Sequence, residues 1–292
     1  MAHDNAGKQP KTDLSIVVVN YNTRDYLRAC LHSVLDHSDG LRIEVIVVDN
    51  ASTDGSTEMV RGEFPGVKLL AMEKNTWFCG GNNLGIGQAQ GRYVLLLNPD
   101  TVVGKNALIH MVEFMDRHGD YRGVTGQLRY PHGAVQRTCS RIPTYSYLIL
   151  TNTPVGWILR GWRKRVSARH WYDKWGRDRD HDIEVMPGSC TLMRPGGDLL
   201  LDENLLLYFP EDDLARRKPG KYRFLSESRI IHYEKAATQT WLATRIYFRD
   251  MLVYSRKHHG VWRTVLLWFL SRPLLWAMAF KRFWRDHIRQ LS

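Results

Sequence analysis

The sequence predicts an α/β fold built on a mostly parallel central sheet. Three observations carry this. Four runs of aliphatic and β-branched residues occur before position 100, namely "LSIVVVN", "IEVIVVDN", "VKLLAM" and "YVLLLN". Helical periodicity lies between them, and three of the four runs end on polar groups. Continuously apolar strands alternating with helices make a sheet covered on both faces.

Each element follows from its residues. Residues 1–13 are polar, have no apolar stretch of signal-peptide type, and read as a disordered leader. The first strand begins at Leu14 and leads to "TRDYLRACLHSVLDH", where Leu27, Cys30, Leu31, Val34 and Leu35 fall on one helical stripe. After the second strand, "ASTDGS" is a turn before a short helix and the third strand. "FCGGNNLGIGQAQG" reads as a glycine-rich bend into the fourth strand. Beyond Arg129 the regularity fails through Asp182. Strand-like "EVMPGSCTLMR", the acidic "DENLLLYFPEDDLARR" and strand-like "KYRFLSESRIIHY" follow, and from about Thr240 the chain is helical, amphipathic and basic.

With 292 residues, 43% of them apolar, the chain can bury a large core, which excludes a disordered protein. Its four cysteines form no CxxC pair and suit reduced thiols in a cytoplasmic setting. No GxGxxG follows the first strand and no Walker A sequence occurs, so dinucleotide and P-loop chemistry are excluded.

Ligands of open α/β sheets bind outside the carboxyl ends of the strands. Asn20-Tyr21-Asn22, Asp49-Asn50 and Asn98-Pro99-Asp100 all fall there and read as one crevice. Asp100 is placed to hold Mg²⁺ or Mn²⁺, hard cations that share oxygen ligands with substrate phosphates. Asp49 and Asn50 suit a nucleobase or ribose, with capping of the "STDGS" turn as the alternative for Asp49. Gly80 and Gly81 would let backbone approach a ligand, or mark the start of a helix capped by Asn82 or Asn83. Glu211, Asp212 and Asp213 suit general-base work beside the aromatic "LLLYF", or the acidic first turn of a helix. His232 suits a metal or phosphate, or a structural role.

These segments, from "SIVVVNYN" through "GGNNLGIGQAQGRYVLLLNPDTVV" to "RIIHY", resemble family 2 glycosyltransferases over about Leu14 to Tyr233. The likeness is to bacterial rhamnosyltransferase-like enzymes of surface polysaccharide (lipopolysaccharide-type) synthesis. It implies a GT-A fold over 14–239, with a nucleotide-sugar half at 14–129 and an acceptor half at 130–239. It also implies a nucleoside-diphosphate sugar donor, a divalent metal and inversion at the anomeric carbon. By the resemblance, Asn98 stands for the first acid of a DxD-type motif and Asp100 is the metal ligand. Asp49 binds the base, with Asn20, Tyr21 and Asn22 beside it. Asn83 precedes the donor-site helix, and His232 reaches the metal or diphosphate. Anchored on Asp213-Leu214, the family's base column holds Glu211; a shift of one residue puts Asp212 there, keeps a Glu-Asp pair, and is preferred.

The formal charge is +11, and from Arg245 onward ten Lys and Arg face two Asp. "VLLWFLSRPLLWAMAF" is sixteen residues broken by Arg272 and Pro273, too short for a spanning helix, which needs about 20. With its tryptophans and flanking cations, 240–292 reads as an in-plane anchor on an anionic membrane surface at the inner face of the plasma membrane. A helical pair packed on the catalytic domain or on a dimer partner is the alternative. The acceptor is a glycan or lipid-linked glycan, with a polyprenyl phosphate acceptor or an inactive membrane scaffold as alternatives. A nucleic-acid partner is not expected, because it leaves the three polar strand ends without a purpose.

Overall fold

A computed structural model describes residues 12–38, 40–196, 199–234 and 241–291, with side chains through Arg282. Residues 1–11 of the expected leader, and 235–239 of the expected catalytic unit, lie outside the described residues. Asp13, expected in the leader, is part of the fold. Its carboxylate is held well below the usual carboxylate range by the Arg42 guanidinium, with Arg92 on its other oxygen.

In chain order the first half runs β1 (Leu14–Asn20), α1 (Arg24–Asp36), β2 (Ile43–Asp49), α2 (Ser56–Glu63), β3 (Lys68–Ala71), α3 (Trp77–Ile86), β4 (Tyr93–Leu97), β5 (Thr101–Val103), α4 (Ala107–Arg117) and β6 (Tyr121–Arg129). Three helices follow: α5 (Tyr145–Asn152), α6 (Val155–Ile158) and α7 (Arg160–His170). The remainder is β7 (His181–Ile183), β8 (Cys190–Met193), α8 (Pro210–Arg217), β9 (Lys221–His232), α9 (Trp241–His259) and α10 (Val261–Leu291).

The sheet order is β3-β2-β1-β4-β8-β6-β9-β5, with β7 paired to β9. Among the described residues, six of the nine strands run one way; β5, β7 and β8 oppose them. The chain leaves β1 toward β2 on one side and later returns to pair β4 on the other. That is a topological switch point, where a crevice opens at the strand ends.

Strand alternation splits the core into two layers. Ile16, Val18, Leu95 and Leu97 face α1 and α4, whereas Val17, Ile46, Val48 and Leu96 face the layer containing α3, α8 and α9. In that second layer Phe248, Met251 and Tyr254 of α9 are buried. The first helix of the basic C-terminal region is therefore packed on the sheet domain, in accord with the alternative reading of that region.

Two expectations change. The glycine-rich stretch before β4 is not a bend but the helix α3, because its glycines are where helix meets strand. A Cβ on Gly81 would stand 2.7 Å from Val19 Cγ1, and one on Gly85 2.3 Å from Val17 Cγ1. Neither Asn82 nor Asn83 caps this helix, since it starts five residues earlier, after Thr76. The segment beyond Arg129, which showed no pattern, contains three helices.

Candidate active site

The crevice starts from a buried polar lattice at the ends of β1 and β2. Asn20 Nδ2 donates to Asp49 Oδ1 at 2.8 Å and to Ser52 Oγ at 3.1 Å, and Thr23 Oγ1 donates to Asn20 Oδ1 at 2.6 Å. Ser52 N donates to Asp49 Oδ2 at 2.9 Å, so Asp49 does cap the following turn. Asn22 takes a left-handed conformation and accepts from Thr53 N at 2.8 Å. Tyr21 is left exposed beside this lattice. Asn50 ties β2 to the start of α3, accepting from Thr76 Oγ1 at 2.7 Å and donating to Trp77 O at 3.1 Å.

Gly80 and Gly81 lie buried inside α3, and the contact of Gly81 with Val19 accounts for that glycine without a ligand. Asn83 clamps the 201–203 loop: its side chain accepts from Leu201 N at 2.8 Å and donates to Leu201 O at 2.9 Å.

β4 ends at the Asn98-Pro99-Asp100 turn, where Asn98 N donates to Ser189 O at 3.1 Å. The antiparallel pairing of β5 with β9 sets Thr101 opposite His232, and Tyr233 N donates to Asp100 O at 3.0 Å. Two residues 132 positions apart thereby meet: His232 Nε2 lies 3.4 Å from Asp100 Oδ1. Gln136 orients the imidazole. Its Nε2 donates to His232 O at 2.7 Å, which leaves Oε1 to accept from His232 Nδ1 at 2.9 Å. Nδ1 therefore carries a proton, and Nε2 faces a carboxylate oxygen. A half-buried imidazole nitrogen and a buried carboxylate oxygen facing one another suit a cation between or beside them. Among the described residues no cluster of three or more His, Cys, Asp or Glu could hold a metal ion; Asp100 and His232 are a pair. Such a sparse set fits Mg²⁺ or Mn²⁺ completed by substrate phosphate and water.

The acidic segment forms the first turn of α8, as its alternative reading had it. Its three members part ways. Asp213 is fully buried and paired with Arg217 at 2.6 Å, Lys257 at 2.7 Å and His258 at 2.7 Å. Burial opposes its ionisation, but these three partners hold its pKa below the ordinary value. It fastens α8 to α9. Glu211 and Asp212 are half-buried and, among the described residues, form no ion pair, although the charge of Arg216 acts on Asp212 against its upward shift. Burial pushes Glu211 up to about 7. Burial, then the charge of Glu211, pushes Asp212 up to about 8.

Glu211 lies against the turn before β8. A Cβ on Gly188 would clash with Glu211 Oε1, and the next residue, Ser189, is the one that anchors Asn98. Phe78, Met186, Gly188, Thr191 and Glu211 line a cavity of about 20 Å³, room for one water molecule. The field of Asp212 instead falls on Tyr147, Tyr247 and Tyr254, whose hydroxyl pKa values are raised, mainly by burial.

Several of these residues escaped the sequence reading. Gln136 lies in the stretch without periodicity. Gly188 and Ser189 read as part of a strand-like segment, "PGSCTLMR", within the family resemblance, with no role of their own. Asp250, which accepts three backbone N–H groups ahead of α8, sits in what reads as a basic tail. Only the "PGS" turn chemistry before β8 could have flagged any of them.

Comparison with known proteins agrees with this architecture. Residues 15–194 match the family model described as "Glycosyl transferase family 2". The succinoglycan biosynthesis protein ExoO of Rhizobium meliloti (strain 1021) is 35% identical over 108 residues, 37% of this chain and 31% of that protein. The match thus spans under a third of that relative's length. The N-acetylglucosaminyl-diphospho-decaprenol L-rhamnosyltransferase of Mycobacterium tuberculosis (strain ATCC 25618 / H37Rv) is 24% identical over 302 residues, covering 89% of this chain and 90% of that one. Among solved structures, GalNAc-T7 with UDP, GalNAc and Mn²⁺ superposes with a TM-score of 0.55 at 14% identity, covering 80% of this chain and 47% of that chain.

Proposed function

The chain belongs to glycosyl transferase family 2 and has the GT-A fold, and from that premise we propose that it is an inverting sugar transferase of bacterial glycan synthesis. The donor is a nucleoside-diphosphate sugar, and the acceptor a hydroxyl of a glycan or lipid-linked glycan. Rhamnose is the first sugar to test, since the relative that matches nearly end to end is named a rhamnosyltransferase acting on a decaprenol-linked diphosphate.

The observation that carries this reading is the approach of Asp100 to His232 at the strand ends, with Glu211 across the turn that anchors Asn98. Asp100 and His232 Nε2 would hold the divalent cation. When bound, it supplies positive charge against the diphosphate leaving group. Asp49, Asn20 and Asn50 hold the backbone of the nucleotide end rigid. They, Tyr21 and Asn22 form the base and ribose side, and Asn98 flanks the phosphate side.

Glu211 is the better placed base, which reverses the preference for Asp212 in the sequence. It would accept the proton from an acceptor hydroxyl as that oxygen attacks the anomeric carbon opposite the departing phosphate, a single displacement with inversion. A carboxylate tuned upward by burial is a stronger base than one in water. Asp212 sits behind it, on the aromatic side formed by α5 and α9.

No helix among the described residues is long and apolar enough to cross a membrane. α10 carries Trp262 at 86% exposure, with Phe269, Trp276 and Phe280 also exposed and Lys281 and Arg282 beside them. This supports peripheral attachment to the cytoplasmic leaflet, where a lipid-linked acceptor would lie.

The test is calorimetric binding of UDP and dTDP, with and without Mn²⁺, to the wild type and to Asp100→Ala. Metal-dependent binding that the variant loses supports the reading. A protein that binds neither nucleotide overturns it.

A further inference from the structure

We propose that the corner between α6 and α7 is a second contact with an anionic lipid bilayer, separate from α10. The inference does not depend on the transferase reading. Within six positions the corner exposes Trp157, Ile158, Leu159 and Trp162, with Ile158 at 81% and Trp162 at 63% exposure. Large apolar side chains this close together are not left in water without a use. Immediately after them, Arg160, Lys164, Arg165 and Arg169 are exposed, and Arg163 is half-buried. From Thr151 to Tyr172 there is no Asp or Glu.

The chemistry selects one partner. Tryptophan prefers the headgroup level, Ile158 and Leu159 offer nothing but apolar surface, and the cations match anionic lipid. A polynucleotide would use the cations and stack on the tryptophans, but would leave Ile158 and Leu159 wet. The corner is also tied to the other candidate anchor. α5 packs against α6, α7 and α10, and Tyr145 OH donates to Arg263 O at 2.6 Å. α5 also bears Tyr147, which lies within the field of Asp212. Two anchors joined through α5 fix the tilt of the protein on the bilayer, which one helix alone leaves free.

The experiment places a reporter at the most exposed position. The four native cysteines are buried, so Ile158→Cys can be labelled with an environment-sensitive fluorophore on the full chain. Vesicles of phosphatidylcholine containing phosphatidylglycerol should shift the emission to the blue, and pure phosphatidylcholine vesicles should not. In sedimentation with the mixed vesicles, Arg160→Glu/Lys164→Glu/Arg165→Glu should weaken binding by about tenfold or more. Nucleotide binding serves as the fold check and should be unchanged. Cosedimentation with no shift at position 158 would mean that α10 alone touches lipid, and the proposal fails. A shift with polyuridylate but not with vesicles would also overturn it. Absence of nucleotide binding by the wild type would instead strike the transferase reading and leave this one standing.

Discussion

Asp250 accepts the backbone N–H of Tyr208 at 3.1 Å and, through the same oxygen, those of Leu206 and Leu207 at 3.0 and 2.9 Å. One fully buried carboxylate of α9 thus gathers the backbone just ahead of Glu211 and Asp212. Arg249 Nη1 takes the other oxygen at 2.6 Å. The strained turn that follows, with Phe209 in the left-handed region, is held by these bonds together with the Asp213 ion pairs.

Asp250→Ala would orphan three part-buried backbone donors. The expected loss is on the order of 3 kcal/mol, or roughly 6–12 °C in Tm for a domain of this size. Asp250→Asn keeps an acceptor oxygen toward the loop and should lose less than half of that. Thermal melts check this, and an Asp250→Ala protein that melts with the wild type would remove the loop-holding role.

Gln136 is expected to govern the affinity for the cation. Gln136→Leu frees Nδ1 of His232, so the ring can take the tautomer with its proton on Nε2, facing Asp100. Loss of such an orienting partner typically costs about 10- to 100-fold in metal affinity. Titrating Mn²⁺ into the protein saturated with nucleotide gives the number. Equal affinities in the two proteins would show that Gln136 does not govern the cation site.

Two glycines of α3 give a test of packing free of chemistry. Gly85→Ala puts a methyl group 2.3 Å from Val17 Cγ1, and Gly81→Ala puts one 2.7 Å from Val19 Cγ1. Overpacking of this kind costs about 1–3 kcal/mol. It outweighs the gain of about 1 kcal/mol that alanine brings to a helix interior. Both variants should melt lower, Gly85→Ala more so, whereas a rise in Tm would mean that the helix stands off the strand.

What could be seen in the sequence follows from which residues point inward. β1, β2 and β4 are buried on both faces, so they appear as unbroken apolar runs, and a polar residue ending such a run marks the crevice. Asn20, Asp49 and Asp100 were legible for that reason. α3 is hidden in the sequence because glycine signals a bend locally, while the contacts of Gly81 and Gly85 with the strand decide the helix. α6 and α7 escaped because Trp157, Ile158 and Trp162 point outward, so no inward stripe forms. The role of Asp250 has no sequence signature, since its partners are backbone groups of a distant loop. The choice between Glu211 and Asp212 depended on which side of α8 faces Gly188, and spacing carries no such information.

That choice yields the sharpest prediction. A general base must be ionised, so kcat/KM should rise with pH through an acid limb near pH 7–8, where the raised pKa values of Glu211 and Asp212 lie, and not near 4. Glu211→Gln should lower kcat by about 10²–10⁴ with donor KM little changed, and Asp212→Asn by much less. Stability should move the opposite way. In the unfolded chain both carboxyls ionise near pH 4, while the folded chain keeps its protons to higher pH. Over that window the folded state binds more protons, so it loses stability as pH rises through the folded pKa values. Glu211→Gln and Asp212→Asn should therefore each melt above the wild type at pH 8.5 and close to it at pH 4. Rate profiles and melts at the two pH values separate the roles. If Asp212→Asn takes the larger loss of kcat while Glu211→Gln stays active, the base is Asp212, and Glu211 serves only to raise its pKa.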